Sequence, residues 1–433
     1  MNMLRFVHLS DIHFGQNRNG SVVFHADVRA ELLNHCRVMR NKLGNAQGVL
    51  ITGDIAYAGK REQYEESSTW LAQLTNAVGC KRTDVRVIPG NHDIDFDEIG
   101  YATKIAHHDL RNRPPNEIQG ILDEIASGHE EGNPLLPKLK AYRVFAAEYD
   151  CDFESVGRPI WTQTVVLSDC YRLRFVGLNS VQVSDRNDKD REGTMVLGKR
   201  QYILTREENV EYVVLLHHPL NYFKDREEAK NFLNSRAKVL MTGHEHVPCI
   251  EKIAGESDDE RLVISAGATN PPEVDYRYTY SWMEFSHREV GNIQNLVVRV
   301  HPSVWVKEQT SFAPDRSRLN GEDSKEFILK CPMFRKQGGI TQPAEAETHK
   351  EAAAGSENSD NNMNMVSRED ERFARLRYFF WRFLDWRQRL SVLADLDIRS
   401  IWAQRRIWWS RACSPFNLPF PYIRRNHTRK IGR

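Results

Sequence analysis

The sequence lacks the features of a disulfide-stabilised protein and of a membrane-spanning protein. Its seven cysteines are odd in number and widely spaced, and no two form a Cys-x-x-Cys pair, which argues against a disulfide framework and against a zinc knuckle. No run reaches the roughly 18 apolar residues expected of a transmembrane helix. The apolar run nearest the start is short and ends at Asp11, unlike a signal peptide. We therefore expect a cytoplasmic protein with reduced thiols.

Net charge is also small, at +1 over 433 residues, but it is unevenly distributed. Residues 371–433 contain 15 Lys and Arg against 4 Asp and Glu, which leaves 45 basic and 55 acidic side chains in residues 1–370. Residues 341–370 are rich in Ala, Glu, Ser and Asn, a composition that favours disorder. These shifts predict a main domain over residues 1–310 with a helical insertion at 100–155, a linker over 311–370 that is largely disordered from residue 341, and a basic tail over 371–433.

The tail also differs from the rest of the chain in its aromatic content. Five of the nine tryptophans lie in it. Phe373, Leu376 and Phe380 recur at helical spacing with arginines between them, which predicts a helical segment. Three interpretations stay open: a helix that docks on a protein partner, a second copy or the acidic main domain; a helix at a membrane surface; and a strip that binds nucleic acid.

Short runs of β-forming residues end in polar side chains at five places in residues 1–300. The five blocks are Asp11-Ile12-His13, Gly53-Asp54-Ile55, Gly90-Asn91-His92-Asp93, His217-His218-Pro219 and Gly243-His244-Glu245-His246. Amphipathic helices are predicted between the first three runs, at about residues 24–43 and 63–78. Because right-handed crossovers place the carboxyl ends of parallel strands at one edge of a sheet, we expect the polar residues of the first three blocks to converge.

Further strands are predicted at residues 161–167, 172–178, 212–216, 238–242, 262–265, 280–285 and 295–300, enough for a second sheet. The predicted fold class is therefore α/β, with two packed mixed sheets flanked by helices and a helical basic tail at the C-terminus.

The polar side chains of these blocks form a set suited to metal ions. Carboxylate, imidazole and amide oxygen without thiolate are ligands for Mn²⁺, Fe or Zn²⁺. The eight candidates are Asp11, His13, Asp54, Asn91, His92, His217, His244 and His246. Eight such groups exceed what one ion needs, and they suit two ions about 3.5–4 Å apart that share one carboxylate. The water between two such ions becomes hydroxide near neutral pH and can attack phosphorus in line.

In this order the blocks resemble the calcineurin-like metallophosphoesterase superfamily, which includes purple acid phosphatases, Ser/Thr protein phosphatases, cyclic-nucleotide phosphodiesterases and the Mre11 and SbcD nucleases. The resemblance covers roughly residues 3–300 and makes residues 1–310 the catalytic domain. Carried over by position, it implies a first metal ion held by Asp11, His13 and His246, a second held by Asn91, His217 and His244, and a bridge by Asp54.

The resemblance also separates the catalytic residue from its neighbours. His92 would contact the scissile phosphate and protonate the leaving oxygen without binding metal. His218 is expected to pack beside the ligands, and Asp93 to cap or orient its turn. Gly53 and Gly90 are expected where the backbone turns sharply beneath the metals.

The predicted function is hydrolysis of a phosphodiester or nucleotide-like substrate by hydroxide bound to two divalent cations, with Mn²⁺ preferred over Fe or Zn²⁺. The preference for a phosphodiester rests on the form Gly-Asp-Ile-Ala-Tyr at residues 53–57 and on the block spacing, which resemble bacterial phosphodiesterase-like members.

One alternative is a DNA or RNA nuclease of the Mre11 and SbcD type, which the acidic main domain disfavours. The other is a non-catalytic scaffold that acts through the tail. The expected location is cytoplasmic, with peripheral membrane association through the tail as an open option.

Overall fold

The structure, a computed structural model, describes residues 3–16, 21–127, 132–155, 157–185, 192–254, 260–271, 277–290 and 293–334. Residues 341–370 and the predicted helical tail at 371–433 lie outside these ranges, so the interpretations of both segments stay predictions. Within the described ranges, no helix combines the length and the apolar character needed to cross a bilayer.

The chain begins with the predicted βαβαβ unit. Strands β1 (Leu4–Leu9), β2 (Gly48–Ile51) and β3 (Val85–Val87) pair in parallel, with β2 in the middle. The two crossovers are helices α1 (Ser21–Leu43) and α2 (Arg61–Val78). On α2 the buried residues Leu71, Leu74 and Val78 recur every three or four positions, so that one face packs on the sheet. The crossovers therefore bring the carboxyl ends of all three strands to one edge.

A helical insertion follows β3. It consists of α3 (Tyr101–Asn112), α4 (Pro115–Ser127) and α5 (Lys140–Ala147). Lys138, just before α5, is fully buried, and its Nζ lies 3.0 Å from Nε2 of His107 on α3. The same ammonium group donates hydrogen bonds to the carbonyl oxygens of Gln182 and Ser184, at 2.8 and 2.9 Å. One buried cation therefore fastens the insertion to the 179–185 loop.

The second sheet has six strands in the order β4-β5-β6-β7-β9-β8. The strands are β4 (Ile160–Val166), β5 (Arg172–Leu178), β6 (Val210–Leu216), β7 (Ala237–Thr242), β8 (Cys249–Ala254) and β9 (Glu260–Ser265). The four inner strands run parallel, and the two edge strands run antiparallel to them. Helices α6 (Lys199–Tyr202) and α7 (Arg226–Asn234) lie between its strands in the chain. Strand β8 was not predicted, because it contains Glu251 and Lys252 and is mostly exposed at the sheet edge.

The last four strands return to the first sheet. They are β10 (Thr279–Val290), β11 (Ile293–Val306), β12 (Ser311–Pro314) and β13 (Lys325–Lys330). The order is β12-β11-β10-β1-β2-β3, and β13 also pairs with β11. The sheet therefore extends past the predicted domain boundary at residue 310, into the predicted linker. Strand β13 was not predicted, because only two of its residues, Phe327 and Leu329, follow the alternation of buried and exposed side chains that marks a strand.

The two mixed sheets pack face to face, as predicted. Phe6 of the first sheet lies against Phe175 of the second, with ring centroids 4.9 Å apart. The Arg86 guanidinium is 5.5 Å from the Phe6 ring and 5.1 Å from the Phe175 ring, and it packs over both. Because the packing aligns the two sheets, polar residues at the strand ends of one sheet meet those of the other.

Candidate metal centre

The structure brings all eight predicted site residues together. Asp11, Asp54 and Asn91 follow β1, β2 and β3 of the first sheet, whereas His217 and His244 follow β6 and β7 of the second. His13, His92 and His246 lie in the same loops. The site therefore lies where the carboxyl ends of the two sheets meet, and neither sheet holds it alone.

A first group of ligand atoms surrounds Asp11 and Asp54, both of which are buried. His246 Nε2 is 3.1 Å from Asp11 Oδ1, and His13 Nε2 is 3.3 Å from Asp54 Oδ2. The other His13 nitrogen, Nδ1, lies 3.1 Å from the carbonyl oxygen of Asn270. Because a carbonyl oxygen can only accept, the His13 Nδ1–H donates to it, and the Nε2 lone pair faces the Asp54 carboxylate.

A second group surrounds Asn91. Its Oδ1 lies 3.1 Å from His217 Nε2 and 3.0 Å from His244 Nδ1. His217 Nδ1 donates to the Thr52 carbonyl oxygen at 2.6 Å, so its Nε2 lone pair faces inward. His217 Nε2 is also 3.4 Å from Asp54 Oδ2, which places Asp54 between the two groups.

These two groups fit divalent metal ions. Oxygen and nitrogen lone pairs that face each other at 3.0–3.4 Å repel unless a cation or a proton lies between them. Burial lowers the pKa of His217, but the Asp54 and Asp11 carboxylates and the Thr52 carbonyl oxygen together raise that pKa to about 9. The field that favours a proton on His217 also favours a metal cation. Carboxylate, imidazole and amide oxygen are a donor set for Mn²⁺, Fe or Zn²⁺.

His92 lies at the rim of the first group. Its Nδ1 donates to the Tyr57 carbonyl oxygen at 2.8 Å, and its ring centroid is 4.8 Å from that of His13. Its potential ligand atom lies within 4.8 Å of those of His13 and Asp54. Burial lowers the pKa of His92 despite the nearby Asp54 carboxylate, so the ring is neutral near pH 7.

Asp93 is buried and holds two site loops together. Its carboxylate accepts the backbone N–H groups of Ile55, Ala56 and Gly90 at 2.9–3.1 Å, and the Tyr64 hydroxyl at 3.0 Å. Ile55 and Ala56 follow Asp54, and Gly90 precedes Asn91. The Asp93 carboxylate therefore orients its turn, in line with the expectation from the sequence.

His218 packs beside the predicted ligands, and its potential ligand atom lies within 4.8 Å of those of His217 and His244. Its Nδ1 is 2.9 Å from Ser180 Oγ, and its ring centroid is 4.4 Å from that of His244. Its buried Nε2 has no hydrogen-bond partner among the described residues. Burial lowers the pKa of His218 far below its usual value, so the ring is neutral.

Backbone strain marks the site in a way that the sequence did not reveal. Among the described residues other than glycine, nine have positive φ, and five of these are predicted ligands. The five are Asp11, His13, Asp54, His244 and His246, with φ between 53° and 72°. Left-handed backbone is unfavourable for L-residues and is kept where the surrounding structure over-determines it. Here it turns successive side chains toward one point.

The two glycines predicted beneath the metals serve different purposes. Gly53 has φ +95°, and a Cβ there would lie 2.5 Å from His217 Nδ1. Gly90 has φ −108°, so its backbone needs no glycine for conformation. A Cβ at Gly90 would instead overlap Asp54 Oδ1. The expectation of a sharp turn thus fits Gly53, whereas Gly90 is required for close approach.

Two tyrosines of the site carried no predicted role. The Tyr57 ring stacks on His92, with centroids 5.0 Å apart and planes 23° apart. The Tyr222 ring meets His244 edge-on, with centroids 5.1 Å apart. Tyr57 belongs to the quoted Gly53–Tyr57 block, but nothing in the sequence signals that Tyr222 lies here.

The chain belongs to the calcineurin-like phosphoesterase family, whose sequence pattern matches residues 4–248. It is therefore a phosphoester hydrolase with a candidate metal-binding cluster of His and Asp.

Among relatives, the chain is 26% identical over 354 residues to the metallophosphoesterase-like protein YydB of Bacillus subtilis, across 79% of this chain and 67% of that protein. Among solved structures, a purple acid phosphatase from yellow lupin seeds matches with 12% identity and a TM-score of 0.39, over 76% of this chain and 54% of the phosphatase. The Plasmodium inner-membrane-complex anchor GAP50 matches with 10% identity and a TM-score of 0.34, over 78% of this chain and 91% of GAP50.

Proposed function

We propose that this enzyme is a phosphodiesterase that uses two divalent cations, with Mn²⁺ preferred, and that its substrate is nucleotide-like. Asp11, His13 and His246 would hold the first cation, and Asn91, His217 and His244 would hold the second.

The position of Asp54 supports a pair of cations rather than one. Its Oδ2 is 3.3 Å from His13 Nε2 in the first group and 3.4 Å from His217 Nε2 in the second. Its Oδ1 accepts the His92 backbone N–H at 2.8 Å. A carboxylate that faces both groups at once is the bridge that a two-cation centre needs.

When bound, such a pair supplies acidified water and stabilises the negative charge that develops on phosphorus-bound oxygens. The protein itself orients and protects the reacting groups. Thr52 and Asn270 fix His217 and His13 through their backbone carbonyls. His92 keeps Nε2 directed away from its Tyr57 hydrogen bond, so this nitrogen is available to pass a proton to the leaving oxygen.

A nuclease that binds long nucleic acid is the second candidate, but charge argues against it. Residues 1–370 carry more acidic than basic side chains, whereas duplex binding requires a continuous basic path. The cytoplasmic location and the three interpretations of the tail stand as predictions beside this proposal.

Substituting the bridging residue tests the proposal. We expect metal-loaded protein to hydrolyse bis(p-nitrophenyl) phosphate faster than p-nitrophenyl phosphate, and to bind two ions per chain by elemental analysis. Asp54→Asn should reduce the bound metal to one ion or fewer and lower turnover by about 100-fold or more, because each cation loses a shared charged ligand.

Asp109→Asn is the matched control, since Asp109 lies on α3 and pairs with Arg113 at the surface. It should retain both ions and full turnover. One ion in the wild-type protein would contradict the two-cation proposal, and two ions in Asp54→Asn would contradict the bridging role of Asp54. A clear preference for p-nitrophenyl phosphate would contradict the phosphodiesterase assignment.

A further inference from the structure

We infer that Tyr57 determines specificity, and that it does so by stacking against a planar aromatic leaving group, the base of a nucleoside. The inference rests on the proposed function. It concerns the organic group on the leaving oxygen, which the metal ligands do not specify.

Tyr57 is joined to the proton-transferring residue in two ways. Its carbonyl oxygen accepts the His92 Nδ1–H at 2.8 Å, and its ring lies nearly parallel to the His92 ring, with planes 23° apart. The ring also meets His13 edge-on, with centroids 6.1 Å apart. Tyr57 thus fixes the tautomer of His92 through its carbonyl oxygen, and its partly exposed ring lies beside the His92 ring.

The Tyr57 ring is held by its contacts with His92 and His13, and its backbone is held by hydrogen bonds, before substrate arrives. The Tyr57 backbone N–H donates to the Phe14 carbonyl oxygen at 2.9 Å, and the neighbouring Ala56 N–H donates to the Asp93 carboxylate at 2.9 Å. Little conformational entropy remains to be lost at this position when a ligand binds, which favours a binding role.

The side of the site on which Tyr57 lies indicates which group it meets. Because His92 is assigned to the leaving oxygen, the organic group attached to that oxygen emerges next to Tyr57. A tyrosine ring offers apolar faces to a stacked ring, and bases stack on such rings with little dependence on their identity. We therefore assign the leaving side of the substrate to a nucleoside.

Tyr222 lies at the opposite end of the ligand cluster. Its ring contacts His244 and His218, with centroids 5.1 and 5.8 Å away, whereas Tyr57 contacts His92 and His13. A phosphomonoester has one organic substituent, and a phosphodiester has two. Aromatic rings at both ends of the cluster therefore suit a diester, with Tyr57 on the leaving side.

Equilibrium binding of leaving-side substrate fragments, whose ester oxygen can occupy the leaving position, to the metal-loaded full chain tests the inference. The probes are AMP, ribose 5-phosphate and inorganic phosphate, measured by calorimetry. We expect the wild-type protein to bind AMP about tenfold more tightly than ribose 5-phosphate, equivalent to about 1.4 kcal/mol. Tyr57→Ala should reduce this ratio to about two or less, whereas Tyr57→Phe should retain it because stacking requires the ring and not the hydroxyl group.

Tyr101→Ala is the matched control, since Tyr101 is 81% exposed on α3. It should keep the wild-type ratio. Tyr57→Leu, which keeps apolar volume without a ring, covers the case in which the alanine variant does not fold. A wild-type ratio near one, or a ratio unchanged in both Tyr57→Ala and Tyr57→Leu, would overturn the inference. Either result would leave the proposed function standing. If the wild-type protein showed no metal-dependent diester hydrolysis, the proposed function itself would be overturned.

Discussion

At the scale of single residues, His92 combines a neutral ring with a fixed direction. Burial keeps its pKa below the usual value, and the Tyr57 carbonyl oxygen holds its Nδ1–H. A neutral imidazole must gain a proton before it can donate one from Nε2. The Asp54 carboxylate, which counteracts burial in the pKa of His92, stabilises that protonated state.

We predict that His92→Ala slows turnover and leaves the metal content unchanged. General acid catalysis contributes about 10²- to 10⁴-fold, and the loss should be larger for a dinucleotide than for bis(p-nitrophenyl) phosphate, because p-nitrophenolate leaves without a proton. Steady-state rates on both substrates and elemental analysis provide the measurement. His108→Ala, at an exposed position on α3, is the control.

Loss of both metals in His92→Ala, with none lost in Asp54→Asn, would reverse the two assignments. His92 would then be a ligand, as its distance to His13 and Asp54 permits.

At the scale of elements, the site depends on how the loops after β2 and β3 are joined. Asp93 connects them through three backbone N–H groups and also reaches Tyr64 on α2. These hydrogen bonds fix the position of Asp54 relative to Asn91, because each of the two residues is adjacent to a residue whose backbone N–H donates to Asp93.

We predict that Asp93→Asn weakens both folding and metal binding. The new amide NH₂ would face an N–H that the carboxylate now accepts, and a buried donor without an acceptor costs about 1–3 kcal/mol. Urea unfolding of chelated protein gives the stability change, and metal titration gives the affinity. Tyr64→Phe should cost less, about 1 kcal/mol, because it removes one hydrogen bond.

Asp95→Asn provides the comparison, since Asp95 is partly exposed and pairs with Lys60 on the surface. Unchanged metal affinity in Asp93→Asn would show that the two loops keep their relation without this carboxylate.

At the scale of the whole molecule, buried neutral histidines make stability depend on pH. Burial lowers the pKa of His107 to about 4, and its Nε2 lies 3.0 Å from the Lys138 ammonium group. The unfolded state keeps a pKa near 6.5. As the pH falls from 6.5 toward 4, the unfolded chain therefore binds a proton that the folded chain does not, and stability decreases.

His107→Gln should remove this dependence, because a Gln carbonyl oxygen can accept from Lys138 and does not titrate. Between pH 7.5 and pH 5 we expect the wild type to lose about 2 kcal/mol more than the variant. Urea unfolding at the two pH values measures the change in the free energy of unfolding of each protein. Subtracting the change in the variant from that in the wild type removes the contribution of the other titrating groups. An equal loss in both proteins would mean that His107 is protonated in the folded state at pH 5.

The fold class and the convergence of the predicted ligand positions followed from local patterns in the sequence. An apolar run that ends in a polar residue is visible without tertiary information, and three such runs separated by amphipathic helices dictate converging strand ends. Asp11, Asp54 and Asn91 could be placed at one edge for that reason. The domain boundary near residue 310 could not, because β13 is a short amphipathic strand whose identity depends on pairing with β11.

The sequence by itself determined which side chains could bind metal and on which strands they lie, because strand ends and their polar residues are encoded within a few neighbouring positions. Only the tertiary structure decided how those side chains face one another. The Asn270 carbonyl oxygen orients His13 from 257 residues away, and the two sheets must pack before Asp54 faces both His13 and His217. The contacts of the Tyr57 ring with His92 and of the Tyr222 ring with His244 likewise join separate segments, which no local pattern records.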